Sequence, residues 1–234
     1  MALSSLLIKE TPQYELVVPS TNKKFKYRPF LVKEEKILLV AQETNDIQQI
    51  YTSISEVIQS CVPDIEGVED MPLFDVEYIF LQLRAKSVGE IVQPTITCQE
   101  TGENIPIEIN LTSIGVEFPK DHTKNIKLND DVLVHMKYPT IRNVIERHDG
   151  EVTDLYDNVV DCIGTIESNK ESFKSEDYPR EEIEDFVNHL NNEQFSKLLD
   201  FLITSPRLEQ EVKYTASDDI ERRVVFSGIS DFFL

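Results

Sequence analysis

The sequence predicts an α+β fold in two similar halves, each running β-hairpin, helices, then β-hairpin. Three observations predict it. Short runs of alternating apolar and polar residues flank turn-rich stretches, as strands do. Longer runs between them repeat apolar residues at helical spacing. Segments of the same kind also recur in the same order: FKYRPFLVKEEKILLVA (25–41) with VHMKYPTIRNVIERHDG (134–150), IYTSISEVIQSC (50–61) with LYDNVVDCIGTI (155–166), FLQLRAKSVGEIV (80–92) with FLITSPRLEQEV (201–212), and IPIEINLTSIGVEF (105–118) with IERRVVFSGISDFF (220–233). A pseudo-duplication is therefore expected, with an N-terminal half at 1–118, a linker at 119–125 and a C-terminal half at 126–234. Tyr51 and Tyr156 are expected at matching places, and the hairpin around Cys98 opposite the one around Thr215.

Each element follows from local chemistry. Residues 14–18 and 23–27 flank a Pro-Ser-Thr-Asn turn and read as a hairpin. Apolar residues then recur at helical spacing through Ile37, Leu38, Ala41, Ile47, Ile50, Tyr51, Ile54, Val57 and Ile58, with a break at 42–46 where Asn45 or Asp46 caps the second helix. Residues 63–72 form an acidic loop and 73–86 a helix. Strands at 92–97 and 105–111 enclose the turn-rich Gln-Glu-Thr-Gly-Glu-Asn. In the second half, 126–128 pairs with 133–137 around Asp130 and Asp131. Helices are expected at 140–147, 152–167, 179–190 and 192–203, with a surface loop at 168–175. Asn191 or Asn192 is the N-cap of the last helix and Pro206 follows it. Strands at 211–215 and 222–226 close the chain as a hairpin.

Bulk composition narrows the function classes. A chain of 234 residues fits one large or two small domains, and 40% hydrophobic residues suffice for a core. The formal net charge of -20 repels phosphate backbones and anionic headgroups. Nucleic acid and membrane are thus not expected partners, whereas a basic protein surface is compatible. The three cysteines, at 61, 98 and 162, show no metal-ligand spacing, and their odd number without a secretory pattern fits a reducing compartment. No apolar run reaches bilayer-spanning length. These readings point to a soluble, cytoplasmic chain.

No catalytic signature appears: no Gly-rich phosphate loop, no H-E-x-x-H, no G-x-S-x-G and no paired C-x-x-C. The expected assignment is therefore no enzyme, no cofactor, no metal and no small-molecule substrate. His148 beside Asp149 reads as a basic residue at a helix C-terminus, capped by Gly150. Cys98 lies in TITCQETGENIPIEINL, the outline of a zinc-knuckle hairpin, but Thr101 stands where the second Cys would be. The candidate docking residues are Phe232, Phe233 and Leu234, three large apolar side chains near the end of GISDFFL. They either fold back onto a core or dock into a partner.

Several segments together carry a resemblance: YRPFLVKEEKILLVA (27–41), LRAKSVGE (83–90), TCQETGENIPIEINL (97–111) and GISDFF (228–233). They resemble the baseplate hub subunit and hub assembly proteins of T4-like contractile-tailed bacteriophages. The resemblance implies a structural or assembly role in the tail baseplate hub. It implies contacts with other hub proteins or the tape-measure protein, in the host cytoplasm during assembly or in the virion tail. It also implies a Cys pair in such hairpins; this chain keeps only Cys98. The alternative from composition alone is an acidic adaptor or nucleic-acid mimic occupying a basic site on a partner protein.

Overall fold

The computed structural model describes residues 11–145, 155–168 and 171–229. His148, Phe232, Phe233 and Leu234 lie outside the described residues. In chain order, the hairpin β1 (Tyr14–Val17) and β2 (Lys24–Tyr27) leads into helices α1 (Val32–Thr44), α2 (Ile47–Cys61) and α3 (Leu73–Ser87). Five short strands follow: β3 (Ile91–Val92), β4 (Thr95–Thr97), β5 (Asn104–Pro106), β6 (Ile109–Asn110) and β7 (Val116–Glu117). Then come β8 (Asn125–Lys127), β9 (Val132–Met136), α4 (Ile141–Ile145), α5 (Leu155–Cys162), β10 (Ile163–Ser168) and β11 (Glu171–Lys174). Helices α6 (Arg180–Asn188) and α7 (Asn192–Ile203) precede the ribbon β12 (Arg207–Thr215) and β13 (Glu221–Ser227). The chain is thus mixed helix and sheet, as its pattern predicts.

Two compact units result. One joins residues up to Glu117 with those from Arg207 onward; the other is Phe118–Pro206. The first boundary falls beside the expected linker, but β12 and β13 group with the N-terminal unit and not with 126–206. The reason is apolar alternation. Leu208 and Phe226 point from the ribbon into the same core as Leu81, Ala85, Ile107, Ile109, Leu111 and Ile114. Strand β12 also pairs with β7, Leu208 opposite Val116.

In this first unit, α3 is the central element. Phe74, Val76, Ile79, Phe80, Leu81, Leu83 and Ala85 are all buried, so it is apolar around most of its circumference, as expected of a core helix. Asp75, fully buried in its first turn, accepts bonds from the Ser20 amide (3.0 Å) and hydroxyl, tying the β1–β2 turn to the helix. Helix α2 buries Tyr51, Ile54, Val57, Ile58 and Cys61 on one face. The break between α1 and α2 has the expected chemistry: Asn45 adopts φ 54°, and the Asp46 carboxylate accepts the Gln48 and Gln49 amides.

The second unit is an antiparallel sheet in the order β11-β10-β9-β8, packed with helices. Val134, Met136 and Ile163 share a core with Val159 and Val160 of α5, Ile183 and Val187 of α6, and Leu198 and Phe201 of α7. The expected helix over 152–167 is corrected here. Helix α5 ends at Cys162 and β10 begins at once. Gly164 weakens a helix, and the β-branched Ile163, Thr165 and Ile166 favour a strand. The register against β9 shifts between Ile163 and Thr165, and a Cβ at Gly164 would lie 2.9 Å from the His135 carbonyl oxygen. Only glycine fits this bulge. The loop expected at 168–175 likewise contains β11, paired with β10 from Ser168 opposite Glu171 to Thr165 opposite Lys174.

Two of the four matched segment pairs keep their element types throughout, and the pair 50–61 and 155–166 shares only its helical start, since 163–166 is strand. Strand passes to helix at β2–α1 and β9–α4, Tyr51 and Tyr156 lie on α2 and α5, and helix passes to strand at α3–β3 and α7–β12. The fourth pair differs. Residues 105–118 break into β5, β6, a 3-10 turn (Leu111–Ser113) and β7, whereas β13 runs unbroken over Glu221–Ser227. The halves therefore do not repeat one another through their last segments.

Candidate docking site

The three described histidines are placed apart and engaged by their neighbours. The His122 ring packs against Tyr138 and Phe201, with Nδ1 3.0 Å from the Thr204 hydroxyl and Nε2 3.0 Å from the Tyr138 hydroxyl. Burial, aided by Lys124, lowers its pKa, so it serves as a neutral joint in the second unit's core. His135 on β9 lies 2.7 Å from the Asn125 side-chain oxygen, and His189 lies 2.7 Å from the Asp185 carbonyl at the end of α6. Among the described residues, no group of three or more His, Cys, Asp or Glu is placed to hold a metal ion.

The Cys98 hairpin has the predicted outline and a different use. Its turn closes with the Cys98 amide on the Glu103 carbonyl (2.8 Å) and the Gly102 amide on the Cys98 carbonyl (2.9 Å). Gly102 takes φ +72°, a conformation glycine adopts without penalty. Hydrogen bonds from the Thr101 hydroxyl and amide pull the Cys98 thiol pKa down. In place of metal ligands, two carboxylates project from the turn to the last ribbon. Glu103 accepts the Ser217 amide at 2.9 Å, and Glu100 meets Arg222 at 3.1 Å. The hairpin around Thr215, expected as the counterpart of the Cys98 hairpin, is thus its packing partner within one unit.

The ribbon delivers the start of the C-terminal segment to the core. Ile229 is buried, and its amide donates to the Glu77 carboxyl of α3. The Tyr51 hydroxyl donates to Glu77 Oε1 at 3.2 Å. Burial pushes the Glu77 pKa up to about 7, against the opposing pull of these two donors. Gly228 turns the chain with φ +68°, and a Cβ there would lie 3.4 Å from Glu77 Oε1. The predicted docking residues Phe232, Phe233 and Leu234 begin three positions beyond this anchor and lie outside the described residues.

A further surface was missed because the helical spacing was followed through Ile37, Leu38 and Ala41, passing over Leu39 and Val40. Leu38 and Ala41 are buried, but Leu39 and Val40 are each 54% exposed. The signal was present: a helix cannot bury five consecutive apolar residues on one face.

Polar groups at each of these places join one element to another. Comparison with known proteins supplies the biological class. The family model described as "T4 bacteriophage base plate protein" matches residues 11–234. The chain belongs to this family. Similar to this base plate family member is the "Baseplate hub assembly protein gp26" of Enterobacteria phage T4, 24% identical over 191 residues, spanning 82% of this chain and 83% of the relative. No solved structure matches. The resemblance read from 27–41, 83–90, 97–111 and 228–233 thus led to the right family. No helix among the described residues of this base plate protein is long and apolar enough to cross a membrane.

Proposed function

We propose that this base plate protein acts in building the hub of the tail baseplate, through protein–protein contacts and without chemistry of its own. The observation that carries the reading is the similarity, across about four-fifths of both chains, to a relative named as a hub assembly protein. The use of Glu100, Glu103 and Arg222 as braces between elements supports a binding scaffold. Its partners are other hub proteins or the tape-measure protein, met in the host cytoplasm and, for a permanent subunit, retained in the virion tail. Phe232, Phe233 and Leu234 are the proposed docking residues; in the sequence they begin three positions after the buried Ile229.

The test is a phage lacking this gene, complemented in trans. Tails without completed baseplates are the expected outcome, restored by the wild-type gene. Normal infectious tails from the deletion phage would overturn the reading. Mass spectrometry of purified particles then separates a permanent subunit from a departing assembly factor. Removal of Phe232, Phe233 and Leu234 is expected to leave melting unchanged and to abolish hub assembly; normal assembly by the truncated protein would remove these residues from the docking role.

A further inference from the structure

We propose that the groove between α1 and α3 is a docking site for a segment of another baseplate protein, presenting one large apolar side chain beside a carboxylate. The baseplate origin of the partner rests on the function proposed above; its chemistry rests on the groove.

The groove is small, with an apolar floor and polar edges. Phe30, Leu38, Leu39, Phe80 and Val88 line it together with Glu35, Gln42 and Arg84, around a cavity of about 140 Å³. That space suits one bulky side chain and falls well below a small-molecule site, typically about 300 Å³ or more. Two of its lining residues are themselves exposed apolar side chains: Leu39 is 54% and Val88 60% exposed. Anchor side chains at protein interfaces fill pockets of this kind, surrounded by apolar contacts that exclude water.

The charge on the groove sets the second requirement. Arg84 Nη1 is shielded from solvent and meets no hydrogen-bond acceptor. Among the described residues Arg84 has no ion pair, although Glu35 lines the same groove. Acidic residues abound in this chain, 43 Asp and Glu against 23 Lys and Arg, so scarcity does not explain the unpaired guanidinium. Its position in the last turn of α3 complements the helix dipole but supplies no acceptor for Nη1. A desolvated charged donor without a partner is costly, and an arriving carboxylate removes that cost with a charge-assisted bond. A nucleic-acid phosphate would meet the same guanidinium, but a groove with an apolar floor on a chain of net charge -20 disfavours a polyanion.

The experiment uses the full-length protein, methyl- and nitrogen-labelled for NMR. Its probes are N-acetyl-phenylalanine, which carries an aromatic side chain beside a carboxylate, and N-acetyl-phenylalaninamide, which lacks the charge. The acid is expected to shift the Leu39 and Val88 methyl signals and the Arg84 side-chain N–H signal. It is expected to bind about tenfold more tightly than the amide, the equivalent of one charge-assisted hydrogen bond. Arg84→Gln should remove the difference between acid and amide, and Leu39→Asp should remove binding of both. In the phage, Leu39→Asp and Val88→Asp should block hub assembly while the purified variants keep the wild-type melting temperature; both side chains are exposed, so folding does not depend on them.

Equal binding of acid and amide, or no shift at these residues, would overturn the proposal. So would normal assembly with Leu39→Asp. Self-association abolished by Leu39→Asp would assign the groove to a second copy instead. Probe binding that strengthens when 230–234 are removed would assign it to the chain's own last residues. Normal tails in the gene deletion defeat the hub function and leave the probe result standing. A blocked deletion phage with fully active groove variants defeats only the groove.

Discussion

Glu34 and Glu77 are two buried carboxyls of the same unit, 2% and 8% exposed, and their surroundings shift their pKa values in opposite directions. Burial raises the pKa of both. At Glu34, donors outweigh it: Arg28 Nη2 at 2.8 Å, the Leu31 amide at 2.8 Å, the Ser60 hydroxyl at 2.9 Å and Lys33 at 3.1 Å together bring it to about 2. At Glu77 the donors are a neutral hydroxyl and a single amide, burial wins, and the pKa rises to about 7. Depth therefore does not decide the charge of a buried carboxyl here. The number and charge of its donors do. Glu34 uses its charge to pin the start of α1 to the ends of β2 and α2. Glu77 holds the root of the C-terminal segment through the uncharged donors of Ile229 and Tyr51.

The contrast can be broken most severely at Arg28. Replacing it with Ala leaves Glu34 buried without its nearest cation. We expect a loss of about 3 kcal/mol, less than for a fully buried pair because Arg28 is partly exposed. Urea unfolding at pH 7 measures it. A loss under about 1 kcal/mol would show that Glu34 does not depend on this partner.

The next largest effect is a pH dependence at Glu77. Its folded pKa lies above the ordinary carboxyl value of about 4.3. The native state therefore keeps a proton that the unfolded chain releases, and this contribution to stability is full below the unfolded value. It declines as pH rises from about 4 to about 7 and is flat above. Glu77→Gln removes the decline and should stabilise the protein at pH 8 by about 2 kcal/mol. Glu34 has the opposite sign: its contribution is present above about 4 and is lost as pH falls toward about 2. Subtracting the Glu77→Gln stability profile from wild type isolates the first window; a flat difference between pH 4 and 8 would contradict the assignment.

Smaller effects sharpen the Glu77 side. Tyr51→Phe deletes the hydroxyl donor and should cost about 1 kcal/mol, while moving the Glu77 inflection to higher pH, as read by carboxyl NMR titration. An unchanged inflection would mean that Tyr51 does not bond the carboxylate. Gly228→Ala should cost about 1 kcal/mol because φ +68° is left-handed and the new Cβ sits 3.4 Å from Glu77 Oε1. Calorimetry gives the loss, and an unaffected melting temperature would show that the root of the segment is not held there.

Much was legible in the sequence. Alternation and turn residues located the β1–β2, β4–β5 and β12–β13 hairpins, because those signals are local. Asn45 and Asp46 marked the α1–α2 break, because left-handed and N-cap chemistry belongs to short polar side chains. The family resemblance was carried by contiguous segments. Strand β10 was not legible: LYDNVVDCIGTI has helical spacing throughout, and the change at Cys162 depends on hydrogen bonding to β9 and on close approach at Gly164. The grouping of β12 and β13 with the first unit was not legible either, because an alternating strand specifies a buried face without specifying its partner.

At the candidate docking places the division is similar. The run at 37–41 announces surplus apolar surface, and GISDFFL announces another. The unpaired guanidinium of Arg84 and the proton affinity of Glu77 depend on which groups surround them in three dimensions. The sequence by itself determined most element types, the turns, the charge balance and the family, since each is written in neighbouring residues. Tertiary structure alone decided which ribbon closes which core, which carboxyl keeps its charge and, among the described residues, that Arg84 Nη1 meets no acceptor, because burial and pairing are set by residues distant along the chain.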